Sequence, residues 1–442
     1  MRISIIATLV ASALLSLNAH ATDLLQVYQE ALANDPQYAS ARAAHIAGDE
    51  AVVQGRAGLL PNVNATGSRT RNNTDYSIDG SPSASTSYSA SSYGIQLTQP
   101  LFRWANWEQY QQSKLQTAAS EAQFAQAQQD LILRVAQAYF DVLTAQDALT
   151  TLQAEKTAIG EQLSSAKRNF EVGTATITDT HEAQSRYDLA VAQELAAQSD
   201  LEIKHNTLQQ IIGKQPGALA DLRPGVELTA PSPANIDDWV QSAQTQNYGV
   251  VAQQFAREIA QRNIGLNRAG HLPTVDLIAS RNHGYQGPGA NPAIPGSYTT
   301  NNTAVGVQVN IPIFSGLGTS SRVRQAIANS DKAAADLETA KRAAEQNARQ
   351  AYLGVSSGLA QVKAYEAAEV SSKSSLESNR LGYQVGVRIN IDVLNAQQQL
   401  YSTQQSLAKA RYDTLINGLR LKAAAGTLKE DDVVQLNALL QH

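Results

Sequence analysis

The sequence predicts a mixed α and β chain built as a tandem internal repeat, each half carrying a strand pair followed by a long helical hairpin. Three observations predict it. All 13 prolines lie outside two runs, because none falls between Pro100 and Pro216 or after Pro312. Both runs are rich in Ala, Gln, Leu and Glu, which favour helix. The first run carries a seam from Leu131, Val135, Ala138 and Val142 to Leu163, Ala166 and Phe170. Its steps alternate four and three, the coiled-coil period, and Lys156 is its one charged member. Landmarks also recur at fixed distance. Pro61 to Pro273 and Pro100 to Pro312 are 212 residues apart, and Gly173 to Gly386 and Gly213 to Gly426 are 213 apart. Shifted by 213, the seam reads Ala344, Ala348, Ala351, Val355 and on to Asn379 and Tyr383, a weaker and more polar version.

Residues 1–21 read as an export leader, with Arg2, an apolar run from Ile3 to Leu17 and the cleavage pattern Ala19-His20-Ala21. Residues 22–213 form the first repeat. A short amphipathic helix covers Leu24 to Asn34. Asp35-Pro36, an N-cap and an N1 proline, starts a second helix that runs to about Leu60. Apolar and polar residues then alternate as strands over about 62–71 and 88–101, joined by a Ser-, Asn- and Thr-rich loop with Gly80 and Pro82. The hairpin spans 103–213, turns at Val172-Gly173-Thr174 and ends at Gly213, a C′ glycine. Residues 214–235, with four prolines, are a connector. Residues 236–442 repeat the series: Asn247 plays the part of Asp35, strands cover about 273–285 and 298–313, and a hairpin covers 315–426. Val305, Val307, Val309, Ile311 and Ile313 give the cleanest alternation in the chain.

Composition excludes several classes of function. With no cysteine, disulfides, thiolate metal sites and Cys nucleophiles are ruled out, and so is a lipid-anchored lipoprotein. The net charge of −5 becomes −6 once the leader and Arg2 are gone, 33 basic residues against 39 acidic, and gives no reason to expect nucleic acid. His45, His181, His205, His271 and His283 show no metal-ligand spacing, and no HExxH, GxSxG or Walker A pattern occurs. An enzyme is not expected, nor is a metal or a cofactor. Beyond the leader no apolar run is long enough for a transmembrane helix. A membrane position would therefore have to be a β-barrel.

An alternating strand is most often half of a soluble sheet with one face on a core. Two features favour the bilayer here. The strands are about ten to twelve residues long, the span of a membrane strand. The neighbouring helices are too long to fold back as a covering layer. Four strands with one apolar face cannot close alone, and open edges in lipid leave N–H and C=O groups unpaired at several kcal/mol each. Three chains would make twelve strands, inside the range of outer-membrane barrels.

Several stretches carry a specific resemblance: Gly270-His271-Leu272-Pro273-Thr274-Val275-Asp276-Leu277, Tyr383-Gln384-Val385-Gly386-Val387-Arg388, Ile391-Asp392-Val393-Leu394 and Ala410-Arg411-Tyr412-Asp413-Thr414-Leu415-Ile416-Asn417. In these, and over nearly all of residues 22–440, the chain resembles the TolC family of outer-membrane channel-tunnels. The resemblance implies a homotrimer in outer-membrane lipid. It would form a twelve-stranded barrel continued by a long periplasmic α-helical coiled-coil barrel, with an equatorial domain made from the chain ends and the connector. It also implies an exit duct for efflux pumps and type I secretion in a Gram-negative bacterium. Such a duct docks with a periplasmic adaptor (membrane fusion) protein and an inner-membrane transporter of the ABC or RND type. The alternative is a trimeric coiled-coil structural or adhesive surface protein, which would gather its strands in one terminal block.

The two hairpin turns are equivalent by the repeat but chemically unequal. Phe170 corresponds to Tyr383 and Ala175 to Arg388, so only the second hairpin offers a phenol and a guanidinium, both able to donate to a carboxylate. From the pattern alone, Asp179 and Asp392 are helix N-caps and Tyr383 packs. The resemblance implies instead that Tyr383 and Arg388 close the periplasmic end on Asp179 and Thr178. It further implies a cation site at the pore entrance, carried by Asp392 with Asn395 where a second Asp is expected, so that cation binding is weakened.

Overall fold

The computed structural model describes residues 21–77, 79, 84–291 and 293–441. The leader, apart from Ala21, and the loop residues Gly80 and Pro82 lie outside them. The first half of the chain runs α1 (Leu24–Asn34), α2 (Pro36–Ala57), β1 (Asn62–Tyr76), β2 (Ala84–Phe102), α3 (Trp104–Glu171) and α4 (Ile177–Ile212). The second runs α5 (Ile236–Gln246), α6 (Tyr248–Arg268), β3 (Thr274–Gln286), β4 (Tyr298–Asn310), α7 (Gly318–Gln384) and α8 (Asn390–Ala424), with α9 (Glu430–Asn437) at the end. The helix-helix-strand-strand-helix-helix series thus occurs twice. No helix among the described residues is long and apolar enough to cross a membrane.

The chain divides into two compact units. One comprises residues 44–123 and 251–340, and the other comprises residues up to 43, 124–250 and 341–442. The first unit holds a four-stranded antiparallel sheet in the order β1-β2-β3-β4, so the strand pairs of the two halves meet at β2 and β3. The register joins Val63 to Leu97, Leu97 to Ala279 and Ala279 to Val305; the next rungs join Leu277 to Val307 and Val275 to Val309. Asn64, Gln96 and Ser280 form a rung on the opposite face. Period-two alternation therefore sums across four strands into one apolar face and one polar face. Among the described residues this face is most open on β4, where Val305, Val307 and Val309 are 72%, 60% and 56% exposed.

The strands differ from their expected bounds in instructive ways. β1 and β2 continue to Tyr76 and Ala84, which pair, so much of the expected loop is hairpin ladder. Its Ser and Thr residues hold a strand once backbone partners exist. β2 passes through Pro100 to Phe102 with a register shift there, and β4 stops at Asn310, opposite Thr274, short of the expected residue 313. Beyond Asn310 the ladder has no neighbour to pair with, because β3 begins after Pro273, and Pro312 has no N–H to give. Arg103 fixes the base of the sheet through a bidentate bond to the buried Asp276, at 2.7 and 2.6 Å.

In the second unit the seam is a core as far as Ala166, while its last member, Phe170, is 44% exposed. Leu131, Val135, Ala138, Val142, Leu163 and Ala166 are buried, and Tyr139 and Phe140 are among its largest fully buried side chains. Lys156, the charged intruder, pairs with Glu194 of α4. In α7 the seam is buried at Ala344, Ala348, Ala351, Val355 and Val362 and only half-buried from Tyr365 through Ser372, Leu376 and Asn379. The connector is stitched to both chain ends, by bridges from Thr22 to Leu219 and from Leu222 to Leu440, and the hydroxyl of Tyr139 donates to the carbonyl of Ala220 at 2.8 Å. Gly213 and Gly426 sit at φ of +75° and +73°, and a Cβ on Gly426 would run into the Gln246 carbonyl.

Asp35 does two jobs. Its carboxylate accepts the Tyr38 N–H at 2.6 Å, capping α2, and both Arg134 nitrogens at 2.8 and 3.0 Å. Asn247 caps α6 in the same way, accepting from Gly249 at 3.0 Å. Burial would raise the Asp35 carboxyl, but the Arg134 guanidinium and the Tyr38 and Gln37 N–H groups hold it below the usual 3.8. A depressed folded value contributes stability that is complete above the unfolded value and lost as pH falls through the folded one. Asp35→Ala removes cap and ion partner together. The expected loss in urea melts at neutral pH is about 2–4 kcal/mol, discounted because Arg134 is partly exposed. The gap to the parent should shrink steadily below about pH 4.

Candidate functional site

The ends of the two hairpins are built alike. In the first, the N–H groups of Thr174 and Ala175 return to the carbonyl of Asn169 at 2.8 and 3.2 Å, with Gly173 at φ +76°. In the second, Val387 and Arg388 return to the carbonyl of Gly382 at 2.9 and 3.1 Å, with Gly386 at φ +80°. Both glycines occupy the left-handed region that a side chain resists.

The helices that follow start differently. α4 opens with a capping box: Asp179 Oδ2 accepts from the Thr176 N–H at 3.0 Å and hydroxyl at 2.8 Å, while Thr176 Oγ1 accepts from the Asp179 N–H. Both Thr176 contacts use Oδ2 alone. Asp392 makes no such cap; the N-cap of α8 is Ile389, whose side chain has no polar atom to offer. Asp392 instead lies in the first turn, where a carboxylate suits the helix dipole, with Arg388 Nη1 3.7 Å from its Oδ2.

Within one chain the hairpins are joined by amides. The hydroxyl of Tyr383 accepts from Asn169 Nδ2 at 3.2 Å, and buried Asn390 accepts from Gln162 while donating to the Asp179 carbonyl at 3.4 Å. Thr178 is exposed, and so is Arg388, at 59%. Among the described residues, no hydrogen bond or ion pair within the chain joins Tyr383 or Arg388 to Asp179 or Thr178. Asn395 accepts from Arg186 of α4 at 3.0 Å. Sequence patterns pointed to the tyrosine, arginine and aspartates but missed Asn169, Gln162, Asn390 and Arg186. Their partners lie more than 200 residues away, and no local spacing encodes that.

The chemistry available here is hydrogen bonding and weak ion pairing. No group of three or more His, Asp or Glu is placed to hold a metal ion among the described residues.

The family model for outer membrane efflux proteins matches residues 27–214 and 239–427. The outer membrane protein TolC of Vibrio cholerae serotype O1 is 35% identical over 421 residues, covering 95% of this chain and 94% of that protein. The alkaline protease secretion protein AprF of Pseudomonas aeruginosa is 34% identical over 426 residues, covering 95% and 88%. Among solved structures, the outer membrane protein VceC of Vibrio cholerae superposes with a TM-score of 0.78 at 19% identity, over 91% of this chain and 96% of that one.

Proposed function

The chain belongs to the outer membrane efflux protein family, and from that premise we propose that three copies form one passive exit duct, gated at its periplasmic end. One observation supports this most directly: a four-stranded sheet with an apolar face exposed along β4 and two edge strands, β1 and β4, that have no outer partner among the described residues. In lipid such edges are closed at lowest cost by other copies, β4 of one chain meeting β1 of the next to make twelve strands. The long hairpins then continue the lumen as an α-helical barrel in the periplasm. Work comes from an inner-membrane transporter of the ABC or RND type, coupled through a periplasmic adaptor that docks on the hairpin ends and opens them.

Relatives bear names of two kinds, protease secretion proteins and efflux pump components. Cargo of either kind, small toxic molecules or an unfolded secreted protein, suits a passive hollow. Purified protein reconstituted in planar bilayers should have the mass of three chains and carry ions. A monomer in detergent, or the absence of conductance, overturns the proposal. Deleting the gene and following drug sensitivity and secreted protease side by side assigns the cargo.

A further inference from the structure

Arg186 lies on α4 between Ala183 and Ala190, both buried, so its stem sits on the packed side of the helix. Its guanidinium reaches across to α8 of the other hairpin. Nη1 donates to Gln398 Oε1 at 2.5 Å and Nη2 to Asn395 Oδ1 at 3.0 Å. Residues 395 and 398 are three apart on one helical face, which matches the planar fork of arginine and not the point charge of lysine. Glu155 of α3, 8% exposed, lines the same small space with Gln398 and Leu394. Burial raises the Glu155 carboxyl, and the Arg186 charge opposes that rise. One side chain therefore touches the two hairpins and faces a third helix.

We propose that Arg186 is a latch residue of the closed duct, clamping α4 to α8 through Asn395 and Gln398, and that the same contact denies the entrance a cation site at Asn395. The acceptors are neutral amides, so the bonds are charge-assisted without a full ion pair, strong enough to hold and weak enough to release. About one turn nearer the tip, Asp392 has Arg388 against it. Each of the two entrance positions, 392 and 395, thus has an arginine against it. The latch rests on the proposed duct, and its failure is separable from the duct's.

Single-channel recording on wild-type trimers and on Arg186→Met, Arg186→Lys, Asn395→Asp and the Arg186→Met/Asn395→Asp pair tests it, with thermal melts to establish folding. Arg186→Met should raise the open-to-closed ratio about threefold, or about 0.6 kcal/mol. Arg186→Lys should fall between parent and Met, because a single ammonium nitrogen keeps the charge but lacks the two-nitrogen fork that spans both amides. La3+ block reports the second claim. Asn395→Asp alone should change it little, since Arg186 neutralises the new carboxylate, whereas the pair should tighten it about tenfold. Equal gating in all folded variants, or equally tight block with and without Arg186, overturns the latch. A parent that carries no ions overturns the duct itself.

Discussion

Tyr383→Phe combined with Arg388→Ser should raise single-channel conductance in planar bilayers, more than either change alone. Phe keeps the ring and removes only the hydroxyl, and Ser removes the guanidinium from an exposed position, so neither disturbs a core. Inside one chain the two groups have modest partners, Asn169 at 3.2 Å and Asp392 at 3.7 Å. Asp179 keeps Oδ1 free of the capping box, because both Thr176 contacts fall on Oδ2. In the proposed trimer that oxygen would accept from a phenol or guanidinium of a neighbouring chain. Charge-assisted bonds at a partly exposed end are worth roughly 1–3 kcal/mol each, so losing two per chain shifts a closed-open balance by well over tenfold. Unchanged conductance would remove the gate assignment from Tyr383, Arg388, Asp179 and Thr178 together.

The second large effect concerns the sheet. Val307→Arg should abolish trimers in the outer membrane, while Gln308→Arg on the opposite face of the same strand should leave them. Val307 pairs with Leu277 on the apolar face, and Gln308 pairs with Asp276 on the polar one. In the proposed barrel an arginine facing lipid costs up to about 2–4 kcal/mol per chain, less toward the interface, and threefold symmetry would repeat it in every chain. An arginine facing the lumen remains in water. Fractionated membranes and native gels read the outcome directly. Trimers of Val307→Arg at the parent's level would mean that this face does not meet lipid.

Much of this was legible without coordinates because it rests on local rules. Asp35-Pro36 and Asn247 announce helix starts through side chains that reach their own backbone. Gly173 and Gly386 mark turns because φ near +80° is open to glycine. Local rules failed where a partner comes from elsewhere. Asp392 has the look of a cap, yet the cap position belongs to Ile389 and the carboxylate turns to Arg388. β4 alternates cleanly to Ile313, yet the strand ends at Asn310 because β3 does.

The chain by itself determined the doubled series of elements, the apolar stripe on each strand and the coiled-coil seam, since each depends on periodicity within a few residues. Only the folded arrangement decided that Arg186 meets Asn395 and Gln398, that Gln162 meets Asn390 and that Lys156 meets Glu194. Those pairs follow from how one helix slides along another. Polar side chains add little to the energy that makes either helix, but they choose among the registers that packing leaves nearly equal.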